Sequence, residues 1–468
     1  MVRVFDWIKY PRSRGVIILS VCCVLLILWA VIILATDDRH NLHPTKRVGG
    51  YTYEKHDFDR MITEFPELMW LTGAQEACAF LPAGVSCIRI FGEESTPFDY
   101  AVKAIRAVDL FVQGEYPDYL EFVSVMSPDH RLLWDQFLTA KNQINFVIEH
   151  MSSLTRQEII DALKLSIILS EMGDSKLLKT KAWIYQIALD CENGLLMKVI
   201  DTHPEMFPSF SKMSLKQKQL VLGLLKSIHL DRLFSFTSLY QVMKEIDETS
   251  LVKKNRDLFE LITFIHQCRI SGRDLTSDHS TRGGLEDRVF ENHQLFRQAN
   301  LICASSSLQE GYQFYLLGRS HWMGLDLSTP LHRVLTFMGS ILNCYSPAEG
   351  EIIKETFLAL SPQDISLLVD ELETLSTTES DFTQYFSGVI TQLQKNSKLG
   401  RSQEERLSNT IHLGFPFLSK LCFLTHSGEV HSEQPLDFME LSQAAKQNPD
   451  LFRQCKPIID KMGKVHLK

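Results

Sequence analysis

The sequence predicts an all-α chain, with a single transmembrane helix at its N-terminus, a multi-helix globular region after it, and little or no sheet. Three observations support this. Apolar residues recur at helical spacing through most of the chain. Ser or Thr repeatedly stands three residues before Glu, Gln or Asp, the signature of a capped helix start. No Asn-Gly or Asp-Gly turn separates alternating apolar runs, so hairpin signals are scarce.

In chain order, residues 1–14 form a basic segment carrying Arg3, Lys9, Arg12 and Arg14. Residues 15–35 (GVIILSVCCVLLILWAVIILA) are one apolar run in which Ser20 is the only conventionally polar residue. As a helix rising 1.5 Å per residue this run reaches roughly 30 Å, the thickness of a bilayer's hydrocarbon core. It exceeds the roughly 7–15-residue core of a signal peptide, so an uncleaved anchor is expected. Arg39, Lys46 and Arg47 follow the run, and the slight cationic excess before it places the N-terminus on the cytoplasmic side. Arg12 and Arg14 can snorkel to headgroups, while Trp29 lies deeper than an interfacial anchor normally does. Residues 36–60 are polar, with Pro44 and Gly49–Gly50, and read as a juxtamembrane linker.

From about Met61 the pattern turns helical, with residues 84–97 as the main exception. There Cys87–Phe91 (CIRIF) suits a short strand or an extended loop. Val102, Ile105, Val108 and Val112 make one apolar stripe. Ser127–Pro128 is the expected start of a long helix through Met151, with Leu133, Phe137, Ile144 and Val147 as buried candidates. Thr155-x-x-Glu158 opens a helix ending near Gly173, and Ser214-x-x-Gln217 opens a Leu-rich one. Ser346-Pro347-Ala-Glu349 and Ser361-Pro362-Gln-Asp364 each pair an N-cap Ser with Pro at the first helical position, where a missing N–H is harmless. Ser402-x-x-Glu405 repeats the theme. Roughly fifteen helices follow by pattern, without a fixed repeat. Gly/Ser/Asp-rich breaks at 271–283 and 319–330 divide them. The expected subdomains are 61–150, 151–305 and 306–468.

Composition narrows the function. The 468 residues are 45% hydrophobic and 22% charged, as in ordinary globular proteins, and carry a net charge of −9. No basic stripe exists, so nucleic acid is not an expected partner. Of ten cysteines, only Cys78 and Cys87 sit close enough to suggest a local bridge. No C-x-x-C occurs, which argues against a zinc ribbon or thioredoxin-type site, and no N-x-S/T sequon occurs, which leans away from a glycosylated ectodomain; scattered thiols without a spacing pattern suit a reducing compartment slightly better than an oxidising one. P-loop, G-x-S-x-G, H-E-x-x-H and G-x-G-x-x-G motifs are all absent, so no motif decides whether the chain is an enzyme. The expected partners are membrane lipid, through residues 15–35, and a protein. The Phe-rich segment 414–424 (GFPFLSKLCFL) suits either core or a partner groove. His426 and His431 flank a Ser-Gly turn and could pinch a soft metal, although a surface turn is the favoured reading.

The stretch around residues 154–175, from LTRQEIIDALK to LSEMGDS, resembles the helix that ends in H-D-x-G-K in HD-type metal phosphohydrolases. Aligned on Gly173, Ser170 stands where that family has His, Glu171 where it has Asp, and Asp174 where it has Lys. The resemblance extends over about residues 150–300, through FPSFSKMSLKQKQLVLGLL (207–225) and ISGRDLTSDHSTRGG (270–284). There it is to helical, divergent HD-like proteins of bacteria that live inside host cells. It implies a divalent-metal ligand set of Glu171, Asp174, Asp278 and His279, with His150 or His266 as extras. It also implies a secreted effector or envelope role. Glu171-Met-Gly173 equally fits an ordinary helix end with Gly at the position after the cap, and Asp278–His279 equally fits a solvated loop. Two functional expectations follow: a membrane-anchored helical interaction protein, or a divergent HD-like metal-dependent phosphohydrolase. No cofactor is expected under the first and a divalent metal under the second.

Overall fold

The computed structural model describes residues 45–48, 51–72, 96–124, 126, 131–172, 178, 192–228, 239–272, 285–375, 389–390, 392–426, 438–460 and 463–468. Over these residues the protein is mostly helical. No helix among them is long and apolar enough to cross a membrane, and residues 15–35 lie outside them.

The chain first forms an antiparallel hairpin, β1 (Thr45–Val48) with β2 (Tyr51–Glu54), Val48 opposite Tyr51. This is regular structure inside the segment expected to be a linker. Gly49–Gly50 separates the strands, and a Gly-Gly pair is itself a hairpin signal. Helix α1 (Lys55–Glu64) follows, then a 3-10 turn at Pro66–Thr72. Next come α2 (Thr96–Gln113), α3 (Tyr116–Val123), α4 (Trp134–His150) and α5 (Arg156–Met172). They are followed by α6 (Glu192–Thr202), the short α7 (Pro208–Lys212) and α8 (Leu215–Ile228).

The middle of the chain holds α9 (Leu239–Glu248), α10 (Leu251–Lys254), α11 (Arg256–Gly272), α12 (Asp287–Ser305) and α13 (Leu308–Trp322). The last part holds α14 (Pro330–Ile341), α15 (Pro347–Leu358), α16 (Pro362–Leu375) and α17 (Gln403–His426), which runs through Pro416. Helices α18 (Met439–Gln447) and α19 (Leu451–Gln454) lead into a second antiparallel hairpin, β3 (Pro457–Ile459) with β4 (Val465–Leu467).

The capping pairs set these boundaries. The Thr155 N–H donates to Glu158 Oε2 at 2.8 Å and the Glu158 N–H donates back to Thr155 Oγ1 at 3.3 Å. Ser214 and Gln217 make the same reciprocal pair ahead of α8. Ser346, Ser361 and Ser402 each accept from the N–H three residues on. Each pair satisfies helix-end donors that would otherwise be orphaned.

Helix α4 departs from expectation. It starts at Trp134, where the Gln136 side chain accepts from the Leu133 N–H at 2.9 Å. Leu133 is therefore the cap and is 55% exposed, while Phe137, Ile144 and Val147 are buried as expected.

Helix α2 is the axis of the first core. Its expected stripe is buried, and so are Phe98, Ala101, Ala104, Ala107, Leu110 and Phe111. Buried positions spread so widely around a helix require neighbours on several of its sides. Helices α3, α4, α5 and α11 pack around it. Phe111 stacks on Phe137 and meets Phe122, each with ring centroids 4.8 Å apart. A second core gathers Val242, Met243, Phe296 and Tyr312 from α9, α12 and α13. A third is built from α14 to α19 and the C-terminal hairpin, and it takes in Phe415, Phe417, Leu418 and Leu421. The Phe-rich segment is thus mostly core, although Phe423 is 52% exposed.

A charged cleft as the candidate functional site

Of the expected metal ligands, Glu171 is the one that lies among the described residues; Asp174, Asp278 and His279 lie outside them. Glu171 sits in the last turn of α5, where both Nε and Nη2 of Arg269 on α11 donate to its Oε1, at 3.0 and 2.8 Å. His150 is exposed at the end of α4 and its Nδ1 bonds to the Phe146 carbonyl at 2.7 Å. His266 is buried on α11, its ring centroid 4.7 Å from that of His293 on α12. Among the described residues no group of three or more His, Cys, Asp or Glu side chains is placed to hold a metal ion. Arg12, Arg14 and Trp29, the expected anchor residues, and His431 and the Cys78–Cys87 pair also lie outside the described residues.

The feature with the form of a site lies elsewhere. A cavity of about 350 Å³ opens between α1, α2, α3 and α5. Asp57, Met61 and Glu64 reach it from one face of α1, at helical spacing i, i+4 and i+7. Ile105, Arg106, Asp109 and Gln113 reach it from α2, Glu121 from α3, and Gln157 and Lys164 from α5.

Two ion pairs shape its wall and floor. Lys164 Nζ lies 2.6 Å from Asp109 Oδ1, with the Lys164 side chain 10% and the Asp109 side chain 29% exposed. Arg106 binds Glu121 through two parallel hydrogen bonds of 2.8 and 2.7 Å, the strong fork geometry of arginine and carboxylate. On the rim, Arg60 stands 3.6 Å from Asp57. Among the described residues the Glu64 carboxylate, exposed at the mouth, makes no hydrogen bond or ion pair.

Among the described residues the lining therefore holds four carboxylates (Asp57, Glu64, Asp109, Glu121) against three cations (Arg60, Arg106, Lys164), a net of one negative charge. Among the described residues it contains no Ser, Cys or His to act as nucleophile or as a base near neutral pH. Such a lining suits binding through charge, with apolar contact from Met61, Phe65 and Ile105.

Sequence reasoning singled out none of these charged residues. One signal was present: Lys164 is the lone charge in ALKLSIIL, inside an otherwise apolar helical stretch. A lysine at such a position is buried only with a partner.

A second buried charge ties the cores together. Arg319, 1% exposed near the end of α13, donates to Asn292 Oδ1 at 3.1 Å and to the carbonyls of Cys344 and Gly339 at 2.7 and 3.3 Å. Its guanidinium lies 4.4 Å from the Tyr345 ring centroid and 5.4 Å from that of Trp322. Burial pushes the Tyr315 phenol up to about 12, so it remains a neutral donor to Asn292, at 2.8 Å. This node fastens α12 and α13 to the α14 region.

No family model matches this sequence, and comparison with curated proteins and with solved structures returns no match.

Proposed function

We propose that this chain is a membrane-anchored helical interaction protein that displays a ligand-binding cleft close to a bilayer. The observation that carries this reading is the uninterrupted apolar run at residues 15–35, long enough for a membrane span and followed by a folded, acidic helical region. Nine residues (36–44) separate the run from the first strand, a reach of at most roughly 30 Å when extended. The cleft would thus work at a surface, where tethering raises effective concentration and modest contacts suffice. Its described lining of ion pairs around an open, partly apolar cavity suits recognition of a charged group. The likeness to HD-like proteins of intracellular bacteria fits an effector or envelope role for such a tethered binder.

The alternative, a divergent HD-like hydrolase, draws less support. Glu171, its central carboxylate, is engaged by Arg269 in a pair that serves packing of α5 on α11.

The test is co-sedimentation with lipid vesicles of the full chain and of a chain lacking residues 1–36. The full chain is expected to pellet with vesicles and resist extraction by high salt, and the truncated chain to stay in the supernatant. Equal partitioning of both would overturn the tether.

A further inference from the structure

The geometry points to a ligand for the cleft between α1, α2, α3 and α5: the cationic side chain of an arginine or lysine on a partner peptide. This rests on reading the cleft as a recognition site. Three observations carry it.

The first is charge. Among the described lining residues carboxylates outnumber cations by one, and those cations are already matched: Lys164 by Asp109, Arg106 by Glu121, Arg60 by Asp57. What remains at the mouth is the Glu64 carboxylate, which an incoming ammonium or guanidinium can engage in a charge-assisted hydrogen bond. An anionic ligand would have to break an existing pair before it met a cation.

The second is shape. About 350 Å³ lies at the low end of small-ligand pockets, roughly 300–1,000 Å³. That admits a long side chain and leaves out a folded element. The third is the mixed wall. Met61 and Phe65 beside α1's acidic groups, and Ile105 opposite, offer apolar surface for the methylene stem, while the carboxylates take the head. Long cationic side chains are amphipathic in this sense.

The test uses the full-length chain in detergent micelles, where binding does not depend on the tether, so a failed anchor and a failed cleft give different results. N-acetyl-arginine amide, N-acetyl-lysine amide and N-acetyl-citrulline amide are titrated and binding is followed by calorimetry. Citrulline keeps the shape and hydrogen-bonding ureido group of arginine but carries no charge. Saturable binding is expected for the two cations, weakening as salt rises, with citrulline at least tenfold weaker, about 1.4 kcal/mol. Glu64→Gln is expected to weaken the arginine probe several-fold. Arg60→Ala, which removes a like charge from the rim, is expected to tighten it. Both residues are exposed, so both variants are expected to keep the wild-type thermal melt, which is recorded alongside as the check on folding. Methylguanidinium, which lacks the stem, is expected to bind more weakly than the capped arginine. Equal binding of citrulline, absence of saturation, or indifference to Glu64→Gln would overturn the cationic ligand. Equal binding of methylguanidinium would overturn the side-chain assignment in favour of a small free cation.

Discussion

Arg269 on α11 delivers two hydrogen bonds, from Nε and Nη2, to a single oxygen of Glu171 on α5. The Arg269 side chain is 9% exposed and that of Glu171 19%, so the pair is mostly withdrawn from water. It sits where α5 ends and joins that end to α11. Removing the carboxylate leaves a largely buried guanidinium short of an acceptor. Glu171→Ala is expected to destabilise by about 2–3 kcal/mol, read as a lower urea midpoint with unchanged slope. Metal content measured on the intact and variant proteins should be the same. A variant that lost bound metal while keeping its urea midpoint would reinstate Glu171 as a ligand.

The Lys164–Asp109 pair makes an asymmetric prediction. The ammonium is the more deeply buried partner, 10% exposed against 29% for the carboxylate. Asp109→Asn strands a charge that water reaches poorly, and should cost about 3 kcal/mol. Lys164→Met keeps the volume, removes the buried charge and leaves Asp109 to hydrate, so the change should stay within about 1 kcal/mol. Denaturant titration of the two variants checks the order. Equal losses would mean that the pair acts through geometry rather than through desolvation of the lysine.

These two pairs show what a sequence can and cannot disclose. The helix starts at Thr155, Ser214, Ser346, Ser361 and Ser402 were legible because a capping pair is local: donor and acceptor lie three residues apart, and the side-chain types alone imply the bond. Thr155→Ala should accordingly cost about 1 kcal/mol. Leu133 was misread as core because an apolar residue next to Trp134 fits the helical stripe. The Gln136 side chain, folding back to its N–H, makes it the cap instead. The first hairpin was not legible from Asn-Gly or Asp-Gly turns, because the residues between its strands are Gly49–Gly50, a weaker hairpin signal. The cleft was illegible for a different reason. Its lining spans residues 57 to 164 and comes from four helices, and no spacing rule relates Glu64 to Lys164. Only the tertiary fold brings α1, α2, α3 and α5 to one cavity.

Arg319 tests whether a guanidinium is required where no carboxylate is among its partners described here. Its donors reach two carbonyls and one amide oxygen on three different segments, and its flat face lies against Tyr345 and Trp322. A lysine ammonium is a point donor and cannot span that fork or stack. Arg319→Lys is therefore expected to lose about 2–3 kcal/mol, nearly as much as Arg319→Met, since in both the carbonyls of Gly339 and Cys344 lose donors. Differential scanning calorimetry of the three proteins checks this. If the lysine variant melts with the wild type, positive charge rather than the planar fork holds the node.

The C-terminal hairpin carries a pH-dependent clasp. His466 Nδ1 lies 2.6 Å from Glu440 Oε2 on α18, and its Nε2 lies 3.2 Å from Asp460 Oδ2. The hydrogen bonds to Glu440 and then to Asp460 raise the imidazole above its ordinary value of 6.5. The same bond from His466, with the Leu467 N–H, lowers the Glu440 carboxyl below its ordinary 4.5. The histidine's contribution to stability is full below 6.5 and is lost as pH rises through its higher folded value. The glutamate's is full above 4.5 and is lost as pH falls through its lower folded value. The clasp is thus tightest in the window between those two ordinary values. The stability gap between the wild type and His466→Gln, measured by urea unfolding across pH 4–8, should be widest within that window and shrink on both sides of it. Salt should narrow it too, since these groups are solvent-accessible and screened. A gap that grew steadily toward alkaline pH would mean that neutral imidazole packing, not the charged pair, fastens the hairpin to α18.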